Sequence, residues 1–564
     1  MTIPDDQLKQ LLIQSHVADE EALAQAESYA KDSGVGLTEA LIEKDIITDE
    51  RLGQALAHYL QVPYVAIAKL AIPSEVVHLI PQRIAKKQKI VPFERDQNGI
   101  KVAMANPANK ELIAMLAKKT GQQIFAYFAT ERDIYDTLHV FRKDLQGAFD
   151  DLLRGAYSPT GALQPERVPI VKVVDLLIEE SSVAKASDVH IEPGEKNSLV
   201  RFRIDGILHD MLLLSKDLHM QIVSRIKVLS NLRTDEHLAP QDGKIRMKLD
   251  EETLDLRVSI LPVVEGEKIV LRLLSSHFRQ FSLGDMGMNA NDLKKVDKAV
   301  SKSYGMILST GPTGSGKTTS IYSILKVLNV REKNITTIED PVEYRIKGVN
   351  QIQVNVKTNL TFASGLRSIL RQDPNVVFVG EIRDSETAGI AVNAALTGHL
   401  VLSTLHTNDA PTALPRLTDM KIEPFLVGST VSVIIAQRLV RKICETCRIS
   451  EVITQEDLEK TLPVDVIKKH YITVGERNEI RIYKGKGCKS CHNTGYSGRI
   501  GIFEVLVMTE KIRTLIASKN DSNVIRRAAI EDGMTTMLDD GLDKVAKGVT
   551  TMEEILRVTK VESL

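Results

Sequence analysis

From about residue 283 onward, short apolar runs alternate with stretches of helical period. "GMILST", "NITTIED", "NVVFVGE" and "HLVLSTLH" each carry a near-continuous apolar run without a polar face. Such runs are strands of a parallel sheet covered on both sides, so residues 283–564 read as an α/β domain, with helices filling the tail beyond about 507. Upstream the pattern changes. "SLVRFRIDG", "LDLRVSILP" and "EKIVLRLL" alternate or nearly alternate, and the amphipathic "VKVVDLLIEESSVAKA" precedes them, which marks a separate α/β domain over 169–280. Residues 142–168 lose clean periodicity and gather Gly and Pro, as a flexible linker does.

Residues 1–141 form a third region. Its first 60 residues read as helical and hold a weak repeat, "LLIQSHVADEEAL" against "ALIEKDIITDERL". The remainder mixes strands ("KIVPFER", "IKVAMANP") with a helix that Gly121 should end.

Composition narrows the function classes only a little. The 73 basic and 74 acidic residues nearly cancel, leaving a net charge of -1, and aromatics are 4% of the chain. A strand-tracking nucleic-acid motor needs cations and stacking faces, so that class is disfavoured. The start, "MTIPDDQLKQ", is acidic and lacks the apolar core of a signal peptide. The apolar "FLVGSTVSVIIAQ" is too short to span a bilayer, and a cytoplasmic location is expected.

The chemistry concentrates in the last domain. "GPTGSGKT", Gly311–Thr318, fits G-x-x-x-x-G-K-[ST] at every fixed position, after a strand and before the helical "TSIYSILKVL". Gly311, Gly314 and Gly316 let backbone N–H groups curl around phosphate oxygens at a helix N-terminus. Lys317 can neutralise the β/γ-phosphates, and Thr318 can hold Mg²⁺ through its hydroxyl. Two strand-end glutamates lie downstream, where ligands of such sheets bind. Glu339 is assigned to water activation and Glu381 to the Mg²⁺ shell, although either fits either role. Asp340 and Glu343 are equally open to function and to ion pairing. His399 precedes the strand "LVLSTL" and His406 closes it, and His406 is a candidate γ-phosphate sensor. Arg257, Arg272 and Arg383 are candidates to meet charge spreading in phosphoryl transfer. The apolar neighbours of Arg272 suggest a buried charge that needs a partner such as phosphate. Arg201 and Arg203 share a face with Asp205 and are read as internally paired; His190 is read as structural.

All four cysteines fall in two C-x-x-C steps, "CETC" and "CKSC". Cys444, Cys447, Cys488 and Cys491 can supply four thiolates to tetrahedral Zn²⁺, a closed structural site with no open position for catalysis.

With "GPTGSGKTT", "TTIEDPVEY", "LRQDPNVVFVGEIRDSETA", "TGHLVLSTLHTNDA", "CETC…CKSCHNTGYSGRIGIFE" and the tail "DDGLDKVAKGVTTMEEILRVT", the chain resembles the traffic ATPases of type II secretion and type IV pilus assembly. "ASDVHIEP" and "LRVSILPVVEGEKIVLRLL" resemble that family's second domain. The resemblance implies a RecA-like ATPase domain, a PAS-like second domain and a mixed helical and α+β N-terminal domain. It implies a cytoplasmic homohexamer that uses ATP with Mg²⁺ to turn an inner-membrane platform protein, and so sits peripheral to that membrane. The nucleotide loop would comprise Gly311, Pro312, Thr313, Gly314, Ser315, Gly316, Lys317, Thr318 and Thr319. Glu339 would be the catalytic glutamate and Glu381 the atypical Walker B residue. His399 and His406 would belong to the His box, and Arg257, Arg272 and Arg383 would contact phosphates.

Pilus assembly is the first reading, type II secretion the alternative, and a nucleic-acid motor or a slow regulatory module the remaining ones. Some N-terminal domains of such assembly ATPases bind cyclic di-GMP through two motif copies opening Arg-Leu-Gly. Here the corresponding openings are Gln7-Leu8-Lys9 and Gly36-Leu37-Thr38, and His16 and Asp45 replace later glycines. The fold is expected there without strong cyclic di-GMP binding.

Overall fold

The computed structural model describes residues 5–14, 18–33, 36–43, 46–70, 72–137, 145–157, 164–249, 252–274, 282–459, 479–488, 491 and 493–559. His16 and Asp45 lie outside them. The chain divides into two units, Met1–Glu20 with Ile47–Arg279, and Glu21–Ile46 with Gln280–Leu564.

The first unit contains two sheets. Strands β1 (Ile90–Arg95), β2 (Ile100–Met104) and β3 (Ile124–Phe128) make a small one, antiparallel between β1 and β2 and parallel between β2 and β3. Between β2 and β3 runs the helix Lys110–Thr120. Asn109 caps it by accepting the Leu112 N–H, and Gly121 ends it at φ 68°.

The larger sheet joins β4 (Asp188–Pro193), β5 (Asn197–Ile204), β6 (Ile207–Ser215), β7 (Gln241–Leu249), β8 (Glu252–Val263) and β9 (Gly266–Leu274) in the order β6-β5-β4-β9-β8-β7, every pair antiparallel. One face is apolar. Val189, Val200, Phe202 and Leu271 pack there with Val173 and Leu177 of helix Ile170–Val183, and with Ile222 and Ile226 of helix Lys216–Leu229. Residues of opposite parity face the other way, and cross-strand partners line up as Arg203–Asp188–Arg272–Arg257–Lys244.

The linker expectation needs correction. Residues 145–153 form the helix Leu145–Leu153, and Leu145, Phe149 and Leu153 are buried in the core just described. Their four-residue spacing gives the segment an apolar helical stripe that its Gly and Asp content obscures. Residues 142–144 and 158–163 of that stretch lie outside the described residues.

In the second unit, β10 (Gly305–Thr310), β11 (Ile335–Glu339), β12 (Asn350–Gln353), β13 (Val376–Val379), β14 (Leu400–Leu405), β15 (Val431–Ile443) and β18 (Tyr496–Val507) form a seven-stranded sheet, ordered β12-β11-β13-β14-β10-β15-β18. All neighbours are parallel except β15 and β18. Successive residues serve opposite cores. Met306 and Leu308 pack in one, Ile307 in the other, which is why these runs read as continuously apolar. Strands β16 (Arg448–Thr454) and β17 (Glu479–Gly485) make a separate antiparallel pair beside the cysteines. Among the described residues no helix is long and apolar enough to cross a membrane.

Candidate active site and metal centre

Central strand β10 delivers the phosphate loop. Gly311, Gly314 and Gly316 take φ of 148°, 76° and 92°, the region open mainly to glycine. At Gly311 a Cβ would also stand 2.6 Å from the Gln437 carbonyl. The helix Lys317–Leu328 follows at once, so its free N–H groups face the concavity. Thr313 and Gly314 are exposed at the apex, Pro312, Thr318 and Thr319 half-buried, and Ser315 buried. Lys317 Nζ lies across the loop, donating to Gly311 O at 2.8 Å and Pro312 O at 3.1 Å. Burial pulls its ammonium down to about 8; Glu381 acts against this and Arg438 adds to it.

Glu381 follows β13 at the carboxyl end of the sheet. Gly380 N–H donates to Ile338 O at 2.8 Å, and Ile382 N–H to Thr404 O at 3.1 Å, which stitches the segment between β11 and β14. The Glu381 carboxylate receives Arg383 Nε at 2.7 Å and His406 Nε2 at 3.2 Å on one oxygen. Strands β10, β13 and β14 run parallel, so the phosphate loop, Glu381 and His406 all follow the carboxyl ends of neighbouring strands. Glu381, Arg383 and His406 therefore come together, at the same edge of the sheet as the phosphate loop.

His399 does not join them. It stands before β14, whose first residue pairs with Gly305, and Gly305 N–H donates to the His399 carbonyl. The six-residue strand β14 separates it from His406, a rise of about 20 Å. Its Nδ1–H donates to Ala394 O at 3.0 Å, a fixed role at the amino ends of the strands. His399, grouped with His406 in the His box, thus stands at the opposite end of β14 from it.

Glu339 also differs from expectation. It is 2% exposed at the end of β11, and its parity turns it towards the phosphate-loop helix. One oxygen accepts from Thr337 Oγ1 at 2.6 Å and Gln351 Nε2 at 3.2 Å; the other accepts from Tyr322 OH. Burial pushes its carboxyl up and these three donors oppose the shift. Asp340 is exposed and Glu343 half-buried in the segment that follows.

In the first unit, the Arg272 side chain is 60% exposed, not buried, because it lies on the face of the sheet opposite the packed core. Its Nε meets Asp188 Oδ1 at 2.9 Å, and Arg203 Nε meets Asp188 Oδ2 at 3.4 Å. Arg257 stands opposite both Arg272 and Lys244. Arg201 pairs with Glu192 and Asp210 at 3.3 and 3.2 Å.

Several site residues have no motif to reveal them. Gln437, fully buried on β15, donates from Nε2 to Ser315 O at 2.7 Å and accepts from Ser320 Oγ at 2.6 Å, bracing the loop and the first helical turn from below. Thr310, the last residue of β10, shares a 2.5 Å hydroxyl bond with Thr407. The sequence signal for Gln437 was a lone amide inside "VSVIIAQRLV".

The four cysteine sulfurs all lie within 4.8 Å of one another. Cys444–Cys488, Cys447–Cys491 and Cys488–Cys491 are separated by 3.8, 3.9 and 3.6 Å. Tetrahedral zinc with Zn–S near 2.3 Å spaces its sulfurs by about 3.8 Å, so the donor set fits Zn²⁺. N–H groups of Gly487 and Gly495 donate to Cys447 and Cys491 sulfurs at 3.3 Å each, as suits thiolates. The cluster sits where the C-terminal segment docks. Ile443 N–H donates to Val549 O at 2.8 Å, and Arg441 pairs with Glu554 at 2.7 Å.

Comparison with known proteins now bears on the fold and the site. The family described as Type II/IV secretion system protein matches residues 164–557, more than two thirds of the chain. The chain belongs to the Type II/IV secretion system protein family. Membership and a complete phosphate loop on a parallel sheet make it an ATP-hydrolysing motor ATPase. An MshEN domain matches residues 60–147. The type IV pilus assembly ATPase PilB of Myxococcus xanthus is 36% identical over 97% of this chain and 98% of its own length. Type II secretion system protein E of Pseudomonas aeruginosa is 46% identical over 71% of this chain and 77% of its own. The solved ATPase DotB of Legionella pneumophila covers 68% of this chain and 94% of that one, with a TM-score of 0.50 and 21% identity. That likeness concerns the fold, which is RecA-like.

Proposed function

We propose that this protein is the motor that drives type IV pilus assembly. The observation that carries the reading is coverage: the match to the pilus assembly ATPase runs end to end, 97% of one chain and 98% of the other. The type II secretion relative is more alike where it aligns, at 46%, but spans 71% of this chain. That higher identity keeps secretion as the second reading.

ATP is held by the loop Gly311–Thr319, with Lys317 on its β/γ-phosphates. Thr318 and Glu381 are the residues that would hold Mg²⁺, which when bound neutralises charge shared between those phosphates. His406 is the γ-phosphate sensor, a reading supported by its hydrogen bond to Glu381. Arg383, on the same oxygen of Glu381, is a further phosphate contact. Arg257 and Arg272 serve as finger arginines. The row that contains them carries four cations for one acid, and such a group is typically worth about 10³–10⁵ in rate. The tetracysteine cluster holds Zn²⁺ in a structural role. The motor works as a homohexamer in the cytoplasm, bound to the inner membrane through a platform protein. The N-terminal region docks or regulates it without strong cyclic di-GMP affinity, and tight binding in a direct titration would overturn that part. The deciding experiment deletes the gene in its source organism and scores surface pili and secretion together. Lost pili with normal secretion support the proposal; the reverse pattern assigns the motor to secretion.

A further inference from the structure

Glu339 ends a strand beside the phosphate loop, the position from which a water-activating base is expected. Its surroundings give it a different task. Gln351 lies on β12 directly across from Thr337. Its Oε1 accepts the Ile346 N–H at 2.7 Å, which fixes the amide so that Nε2 donates to Glu339 at 3.2 Å and to Tyr344 O at 3.1 Å. Tyr322 is fully buried on the phosphate-loop helix, five residues after Lys317. Its oxygen accepts the Glu343 N–H at 3.4 Å, so its own hydrogen is free to go to Glu339. The Tyr344 ring stands edge-on to Tyr322 at 4.6 Å. Both Glu339 oxygens are thus filled by donors, in a site closed to water, and two of the three partners, Tyr322 on the phosphate-loop helix and Gln351, bond to the segment 343–346.

We propose that Glu339 is a positioning residue and not the base: with Tyr322 and Gln351 it locks residues 340–346 to the phosphate-loop helix. Binding of nucleotide at Lys317 and the placement of Asp340 and Glu343 are then parts of one rigid assembly. The inference rests on the protein being an ATPase, but the lock has a readout that does not.

The test uses the full-length protein and four variants. In steady-state ATP hydrolysis, Glu339→Gln is expected to keep kcat within about threefold, because the carboxamide retains an acceptor and the hydroxyls of Tyr322 and Thr337 can turn to suit its amide. Glu339→Ala and Tyr322→Phe are expected to lower kcat about tenfold with KM for ATP within about twofold, as loss of orientation does. Removal of a true base costs about 10²–10⁴. A Glu339→Gln enzyme that binds ATP but turns over a hundredfold slower overturns the proposal. Hydrogen exchange supplies the second measurement. Amides of Glu343 and Ile346 should exchange faster in Tyr322→Phe and Glu339→Ala than in the parent. Unchanged exchange there overturns the lock whatever the turnover shows. Lys317→Ala should abolish hydrolysis in every case, so absence of activity in the parent itself rejects the ATPase reading rather than the lock.

Discussion

Replacing Glu504 by Gln should stabilise the ATPase domain, and more so as the pH rises. Glu504 lies on β18 at 3% exposure, where one carboxylate oxygen accepts the Ala410 N–H at 2.9 Å. Burial pushes its carboxyl from 4.5 up to about 7; the Ala410 N–H opposes this, Asp409 adds to it and Arg526 opposes it. The native state therefore holds the proton more tightly than the unfolded chain. Stability falls as pH rises from 4.5 to about 7, and the whole cost is present above 7. That rise is worth on the order of 3 kcal/mol. Glutamine keeps the shape and an acceptor for Ala410, and its new donor can face Asp409. The two proteins should melt within about 2 °C of each other at pH 5. At pH 8 Glu504→Gln should melt about 6 °C higher, taking about 2 °C per kcal/mol for a unit of this size. Thermal melts of full-length protein from pH 5 to 8.5 give the comparison, and other titrating groups cancel in the difference. A melting difference that does not change with pH, or a less stable variant at pH 8, refutes the reasoning.

Glu554 should behave in the opposite sense. Burial alone would raise its carboxyl, but Arg557 and Arg441 outweigh that and hold it at about 2, so Glu554→Gln should lower the melting temperature at pH 7 and converge with the parent as pH falls from 4.5 towards 2. Gln437→Leu strands the Ser315 carbonyl and the Ser320 hydroxyl, each buried polar group costing about 1–3 kcal/mol. A titration with fluorescent ATP analogue should show about 10–100-fold weaker binding. Stripping zinc with a chelator should expose four titratable thiols and raise hydrogen exchange at Ile443, whose amide is bonded to Val549. Unchanged exchange there would separate the cluster from the C-terminal segment.

What could be read in advance was whatever is contiguous. The phosphate loop, its flanking strand and helix, and the cysteine pairs each sit within a few residues of one another, and their chemistry follows from spacing. The parallel sheet was legible because strands buried on both faces are apolar throughout. Errors arose where a side chain's direction depends on strand parity or polarity. Glu339 shares parity with Ile335 and Thr337, so it turns into the helix rather than out at the strand end. His399 and His406 bracket one strand, so a shared motif puts them at opposite ends of β14. Arg272 looked buried among Val, Leu and Ile, but period-two alternation puts it on the face of its sheet opposite the packed core. Gln437, Tyr322 and Gln351 act across long sequence separations, and no local pattern distinguishes them from ordinary core or surface residues.

The central claim is a motor that spends ATP on building pili. Its most direct test is a chromosomal Lys317→Ala replacement in the source organism, with purified protein assayed in parallel. The account predicts a folded protein that neither hydrolyses ATP nor supports surface pili, while secretion continues. Surface pili at normal numbers in that strain would contradict it.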